Sequence, residues 1–536
     1  MWGRMWGMHQ QVKDTLSLFS RPVLVKENEK VTDIKSEEKK PPGVPKLKTG
    51  QKIGLALGPL LFFAIMYFFP AEGLSKEGLG VLATTVWIAT WWITEALPIP
   101  VTSLLPILLF PILGVVEAKE VTTPYADSII FLFIGGFTLA IAIEKWNLHR
   151  RIAMGIISIM GIRTERLVLG FILATGFLSM WISNTATAMM MVPIALAIVT
   201  QAKESIHQED KSQIENFVKA TLFGVMYAAS LGGLGTLVGT PANIILANTI
   251  NKMYNIELDF FTWMTFATPL VLILLTVSWL YLVKVAFPQK LKTLPGSKEM
   301  MEKERKLLGK ISYEEKVILS VFIFTALCWM SRSFLLVKWM PYLDDTMIAI
   351  FAAVLLFLLP AKNGDSPRIL AWKDAEKIPW GILLLFGGGS ALGTAFQTSG
   401  LAQWIGEQMT FLEGLHFALV IIAVVLLVIL LSEFTSNITT SIMLLPIMGS
   451  LALALDVHPY MLLFAASVAT SCAFMLPTAA TPNTIMFATG QLPVKVMIRT
   501  GFLMNLFCLG IITLMIMYFM PAIWGIDLKI FPENMK

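Results

Sequence analysis

SMWISNTATAMMMVPIA, Ser179 to Ala195, and SEFTSNITTSIMLLPIM, Ser432 to Met448, follow one pattern. In each, a polar cluster interrupts an apolar run, and a fresh apolar run follows. The first cluster is Ser183, Asn184 and Thr185; the second is Ser436, Asn437, Thr439 and Thr440. Ser, Asn and Thr are the residues that cap a helix start, so one reading is a capped helix pair inside a bundle. A second reading adds ligands. A helix N-terminus favours an anion, while free carbonyls and side-chain oxygens favour a small hard cation. Ser179 precedes Ser183 by one helical turn, and Ser432 stands in the same relation to Ser436, so hydroxyls share a face in each copy.

The register between the copies extends outward. At an offset of 253 residues, Gly135-Gly136 falls on Gly388-Gly389, Leu148 on Leu401, Ser183-Asn184 on Ser436-Asn437, and Pro193 on Pro446. A shorter offset aligns GTPAN, Gly239 to Asn243, with AATPN, Ala479 to Asn483. Thr240-Pro241 and Thr481-Pro482 are each expected to be a Thr N-cap followed by Pro at the first helical position. The Gly-rich stretch Gly232 to Gly239 lets the backbone unwind near a ligand. The chain is therefore expected to be an internal duplication, with one hairpin (179–195 and 432–448) and one broken helix (232–249 and 474–490) per half. An odd number of crossings per copy makes the copies inverted and places a site near the membrane midplane.

Composition supports a membrane setting. Of 536 residues, 56% are hydrophobic and 14% charged, where a soluble chain carries about a quarter charged residues. Apolar runs follow one another from Ile53 to Phe519. Several are shorter than the roughly 20 residues of a straight crossing, as expected of broken and re-entrant segments lining protein or a wet cavity. The fold class is thus an all-α polytopic membrane protein. Disordered, collagen-like and nucleic-acid-binding classes are excluded. Phosphate-binding loops, dinucleotide fingerprints and nucleophile elbows are missing, so an enzyme is not expected. Three cysteines in apolar runs and five scattered histidines suggest neither disulfide nor clustered metal site.

Charge gives the organisation. Residues 1–52 carry eleven Lys and Arg against six Asp and Glu, and are expected to be a disordered polar arm. The first membrane half is 53–285. A basic linker, 286–316, includes eight basic residues between Lys290 and Lys316, and the second half is 317–536. The positive-inside rule puts arm and linker in the cytoplasm of a multi-pass cell-membrane protein. Glu95, Asp127, Glu144 and Glu433 lie in or near apolar runs and are functional suspects by default. Glu95 suits a span end near the interface. Glu433 suits either bracing of a helix end or tuning of a cation. No Lys or Arg lies inside the four motifs, so a dianion held there would need bound cations and helix N-termini to balance it.

The paired Ser-Asn-Thr and Thr-Pro motifs, with WIATWWITEALPIPVTSLLPI from Trp87 to Ile107, resemble the divalent anion/sodium symporter family, and its bacterial sodium-dependent dicarboxylate transporters in particular. The resemblance implies about eleven transmembrane segments, two re-entrant hairpins, an inverted repeat, and a homodimer with a scaffold and an elevator-like transport part. It implies C4-dicarboxylate substrates (succinate, malate, fumarate), with sodium as coupling ion and no cofactor. Ser183, Asn184, Thr185, Ser436 and Asn437 would contact the substrate. Thr240, Pro241, Thr481 and Pro482 would shape the broken helices beside it. One sodium site would use Ser179, Asn184 and the Gly239 region, the other Ser432, Asn437 and the Ala479 region. The second motif has Ile438 where the family has Thr, so Thr439 is expected to stand in. Other readings on this sequence are a sodium-independent exchanger, a citrate or sulfate carrier, a channel and a receptor; the internal repeat favours a carrier over the last two.

Overall fold

The computed structural model describes residues 47, 49–70, 72–204, 211–293, 297–364, 366–408 and 416–535. The expected disordered arm, 1–52, lies outside these residues except for 47 and 49–52; helix already begins at Thr49. Part of the basic linker (294–296) also lies outside. The helices of eight or more residues are α1 Thr49–Phe68, α2 Lys76–Thr94, α3 Leu105–Ile112, α4 Ser128–Lys145 and α5 Leu148–Met160. They continue as α6 Thr164–Ser179, α7 Asn184–Glu204, α8 Lys211–Gly232, α9 Pro241–Tyr254, α10 Phe260–Leu280, α11 Ser297–Leu308 and α12 Tyr313–Ser331. The remainder are α13 Asp345–Leu358, α14 Trp380–Thr398, α15 Leu401–Gln408, α16 Phe417–Phe434, α17 Asn437–Ala454, α18 Pro459–Thr470, α19 Thr481–Ala488 and α20 Val494–Leu514. Among the described residues there is no β-sheet, only two isolated bridges.

Seven helical stretches of the described residues are long and apolar enough to cross a membrane: 49–68, 118–145, 212–235, 260–286, 417–434, 437–454 and 494–524. Shorter apolar helices stand at 99–112, 184–198, 345–358 and 459–470. The chain is an all-α, multi-spanning membrane protein. Burial sorts the spans into layers. The 212–235 stretch is 94% buried in its apolar window and is central, whereas 49–68 is 17% buried and forms the perimeter with α2. Trp91 fixes that outer pair by donating its indole N–H to the Gly54 carbonyl at 2.9 Å. Trp92 is buried against the core. The Trp91 and Trp92 rings therefore fill a helix contact.

Several starts are set by the residues that sequence logic assigns to caps. The Asp127 carboxylate accepts from Ile129 N–H at the start of α4, Asp259 from Thr262 N–H at α10, and Asp344 from Met347 N–H at α13. Ser312 and Glu315 form a reciprocal capping box at α12. Asp127 also pairs with Lys252 of α9 at 2.7 Å, which accounts for a charge placed beside apolar runs. Glu95 is exposed at the C-terminal end of α2. The basic linker is tied down as well: Arg151 of α5 binds the Glu315 carboxylate and the carbonyls of Leu308 and Gly309.

The two long apolar stretches around the motifs fold alike. α6 packs on α8 and α16 on α18; α7 packs on α8 and α17 on α18. Pro193 and Pro446 sit inside α7 and α17 at matching places. Between α8 and α9 the chain unwinds through a 3-10 turn, Gly233–Gly235, and then a further turn over 237–239, flanked by the extended residues Thr236 and Thr240. The segment between α18 and α19 is likewise non-helical.

Candidate functional site

The first tip joins α6 to α7. Ser183 Oγ accepts from Ala186 N–H at 3.2 Å, so Ser183 caps the new helix. The second tip joins α16 to α17. There Ser436 Oγ accepts from Thr439 N–H at 3.1 Å and lies 2.8 Å from Thr439 Oγ1. Capping does occur at both tips, as the residue types require. The residues Ser183, Asn184, Thr185, Ser436, Asn437 and Ile438 line one cavity of about 700 Å³. Thr439, which was expected to stand in for a Thr at position 438, is buried, lies outside the lining and spends its hydroxyl on Ser436.

The same cavity is lined by Gly239, Thr240 and Pro241 and by Thr478 to Pro482. Four helix starts, those of α7, α9, α17 and α19, therefore face one volume. Each brings unpaired backbone N–H groups and the positive end of a helix dipole, the backbone chemistry that binds an anion. One detail departs from the sequence expectation. Thr240 is the extended cap residue of α9 without a side-chain cap bond, but in α19 the extended cap residue is Ala480, and Thr481-Pro482 lies inside the first turn. Pro is tolerated at either position because no N–H in that turn has an intrahelical partner.

Unwound backbone at membrane depth must find partners. In the first half every carbonyl from Gly233 to Thr236 has one. Asn243 Nδ2 donates to Gly233 O (2.9 Å) and Thr236 O (2.7 Å), Trp263 Nε1 to Leu234 O, and Thr268 Oγ1 to Gly235 O. Thr236 Oγ1 donates to Met180 O and so ties this segment to the first tip. In the second half, Asn483 Nδ2 donates to Ala473 O and Leu476 O, both at 3.0 Å, and Thr484 to Pro477 O. Glu433 supplies the tie. Its carboxylate accepts from Met475 N–H, Leu476 N–H and Asn505 Nδ2, with Oε1 2.8 Å from the Asn505 amide. Glu433 thus braces a helix break, one of its two expected roles.

Behind each tip lie oxygen-rich pockets of buried atoms. Ser179 Oγ is within hydrogen-bond distance of Asn184 Oδ1 (2.7 Å) and the Ala229 carbonyl. One hydroxyl proton cannot serve both acceptors at once, so oxygens outnumber donors here. Asn184 Oδ1 and the Gly239 carbonyl would lie 2.5 and 3.2 Å from a Cβ on Gly233, and the Gly233 carbonyl 2.5 Å from one on Gly239. Glycine is required at 233 and 239 by this close approach of oxygens. In the second half, Ser432 Oγ, Asn437 Oδ1 and Asn483 Oδ1 are buried without a hydrogen-bond partner. Orphaned buried oxygens of this kind suit a small hard cation.

Sequence reasoning missed the other wall. Phe137, Ala140, Ile141 and Glu144 of α4, with Lys377, Pro379 and Ile382, complete the cavity. Their only advance signal was the charge of Glu144. The connection carrying Lys377 is anchored on α4: Lys145 Nζ pairs with Asp374 Oδ2 at 2.7 Å and donates to Ile369 O. Burial pushes the Asp374 carboxyl up, but the Ala371 N–H and the Lys145 ammonium together outweigh it and hold the group below the ordinary carboxylate range.

Comparison with known proteins decides the family. The family described as the sodium:sulfate symporter transmembrane region matches residues 51–530. The chain belongs to that family, the divalent anion/sodium symporters. A curated relative in the family, the sodium-dependent dicarboxylate transporter SdcS of Staphylococcus saprophyticus, is 46% identical over 482 residues, covering 89% of this chain and 93% of the relative. SdcS of Staphylococcus aureus strain MRSA252 is 46% identical over 499 residues, covering 92% and 95%. Among solved structures, the Alcanivorax borkumensis YdaH transporter superposes with a TM-score of 0.54 at 12% identity, over 78% of this chain and 89% of that one. Neisseria gonorrhoeae MtrF gives 0.53 at 11%, over 88% and 94%. At such identities these two structures speak to fold alone.

Proposed function

We propose that this symporter-family chain imports C4-dicarboxylates, such as succinate, malate and fumarate, coupled to sodium ions. The observation that carries the reading is the convergence of four helix starts, with two Ser-Asn pairs, on a single cavity. Backbone N–H groups and the Ser183, Asn184, Thr185, Ser436 and Asn437 side chains would receive the two carboxylates. Thr240, Pro241, Thr481 and Pro482 would shape the walls beside them. Sodium would sit behind the tips, at Ser179, Asn184 and Gly239 in one half and at Ser432, Asn437 and Ala479 in the other. A cation beside each carboxylate balances its charge without the desolvation of a buried lysine. Relatives named as sodium-dependent dicarboxylate transporters, 46% identical over most of the chain, support this choice of substrate and ion.

The finer architecture belongs to the same reading. The like-made breaks before α9 and α19 support an inverted duplication, and with it about eleven crossings in all. A mobile part carrying the tips would move against a scaffold to expose the site to one side and then the other. The cytoplasmic side would hold the N-terminus and the basic linker, as the positive-inside rule requires. The family resemblance favours a homodimer.

The test is uptake of labelled succinate into vesicles containing the purified protein, with and without an inward sodium gradient, and with malate, citrate and sulfate as competitors. The expected result is sodium-dependent uptake blocked by malate. Uptake indifferent to sodium would instead indicate exchange, and preferential block by sulfate or citrate would reassign the substrate.

A further inference from the structure

We propose that Lys377 is the residue that draws dianions into the cavity and favours them over monoanions, with Glu144 as its counter-ion while the cavity is empty. This deepens the dicarboxylate reading above and rests on it.

The four helix starts contribute hydroxyls, amides and backbone N–H groups, and no ionised side chain. Lys377 and Glu144 are the two charged residues in the cavity lining among the described residues. Glu144 stands in the last turn of α4, and Lys377 lies within electrostatic range of it. Lys377 is exposed, so its ammonium keeps its water and needs no desolvation in the empty state. Its backbone is nonetheless fixed. Lys377 N–H donates to Asp374 O at 3.1 Å, and Asp374 is held by Lys145 and by Ala371 N–H. Trp146 Nε1 donates to Ile369 O at 3.0 Å and secures the connection from its other end. A positive charge on a flexible four-carbon stem therefore hangs at a set place on the wall facing the two tips.

The electrostatics follow from this placement. A dianion approaching the cavity meets Glu144, whose charge repels it. Lys377 cancels that repulsion and leaves the wall near neutral overall. As a carboxylate of the substrate reaches Lys377, it replaces Glu144 as the lysine's partner, and an ion pair is exchanged instead of being created from solvated ions. Attraction to a single cation scales with the charge of the ligand, so a dianion gains more from Lys377 than a monoanion does. The sequence gap left by four motifs without Lys or Arg is filled from outside them.

The experiment measures initial rates of succinate uptake in vesicles at fixed sodium, over a range of substrate concentration and at two ionic strengths. Inhibition by unlabelled succinate and by its monoanionic monomethyl ester is measured in parallel, for wild type, Lys377→Gln, Lys377→Arg and Glu144→Gln. Lys377→Gln should raise KM about five- to tenfold, with a smaller change in maximal rate, and, because Glu144 is left to repel the dianion without its counter-charge, should make KM fall as ionic strength rises, where the near-neutral wild-type wall shows little such dependence. It should also narrow the preference for succinate over the monomethyl ester. Lys377→Arg should restore most of KM, and Glu144→Gln should lower it. An unchanged KM and an unchanged preference in Lys377→Gln would overturn the proposal; so would Lys377→Arg being as impaired as Lys377→Gln, which indicates a packing role. Wild-type vesicles that take up no dicarboxylate would overturn the functional reading, a result separable from any of these.

Discussion

Asn243 and Asn483 make the same pair of hydrogen bonds at the same spacings. Each donates its side-chain amide to the carbonyls ten and seven residues upstream: Gly233 and Thr236 for one, Ala473 and Leu476 for the other. Both residues are fully buried. A single amide thus closes each helix break, and its second function is left to the free Oδ1 atom, which has no hydrogen-bond partner in either residue. Replacing either by Ala takes a donor from two buried carbonyls, of which Thr236 O and Leu476 O keep only a backbone bond, from Gly239 N–H and Ala479 N–H, at a cost of about 1–3 kcal/mol. Thermal unfolding in detergent should show comparable losses for Asn243→Ala and Asn483→Ala. A loss in only one would mean that the two breaks are not energetically equivalent.

Ser179 and Asn184 crowd oxygens behind the first tip. Ser179→Ala should raise the sodium concentration for half-maximal succinate uptake several-fold, with a smaller effect on succinate KM at saturating sodium. Asn184→Ala and Asn437→Ala should abolish most uptake while the protein still assembles. Sodium titrations of uptake check both statements, and a normal sodium response in Ser179→Ala would remove this residue from the ion site.

Glu433→Gln keeps the shape and replaces one acceptor oxygen by an NH₂ group facing backbone N–H donors. The variant should lose about 1–3 kcal/mol of stability, the cost of leaving buried donors unpaired. Thermal unfolding, compared with a surface Glu→Gln control, measures it. A neutral result would mean that the brace on Met475 and Leu476 is dispensable.

Ile438 lines the cavity, while Thr439 is occupied in capping. Ile438→Thr adds a hydroxyl at the second tip. Succinate KM should fall relative to wild type, read from uptake at saturating sodium. A rise would mean that the Ile438 side chain contributes apolar contact to the substrate.

His458 caps α18 through Nδ1, which accepts from Tyr460 N–H. Burial pulls its imidazole down to about 4, against a smaller upward pull from Asp527. The folded state therefore binds fewer protons than the unfolded one between this value and the ordinary histidine pKa of about 6.5. The cap's contribution is complete above about pH 6.5 and is lost as pH falls toward 4. Thermal unfolding across that window should show a slope in wild type that His458→Asn, an uncharged cap, removes.

How much of this was legible in the sequence follows from where each signal resides. Ser183-Asn184 and Ser436-Asn437 announced themselves because polar residues in an apolar run have few structural uses. Pro241 and Pro482 marked helix starts because a fixed φ and a missing N–H are tolerated best in a helix's first turn, though they did not show the one-residue difference in capping. That difference depends on which residue is extended, and Thr481 looks like a cap on paper. The opposite wall was not legible. Phe137 and Ile141 are ordinary core types, and Lys377 sits in a polar connection where a charge is unremarkable until folding brings α4 beside it. Glu433 was flagged, but its role could be decided only by the carboxylate's contacts with Met475, Leu476 and Asn505.

The run Gly232 to Gly239 invites the idea of a hinge, since four of its eight residues lack a side chain. Its satisfied carbonyls argue the contrary. Pinned from α9 by Asn243, from α10 by Trp263 and Thr268, and latched to the first tip by Thr236, the stretch is a stiff insert welded into its neighbours. Any displacement of this cavity wall would then carry α9, α10 and the insert as one block, and bending would be sought in the peripheral connectors.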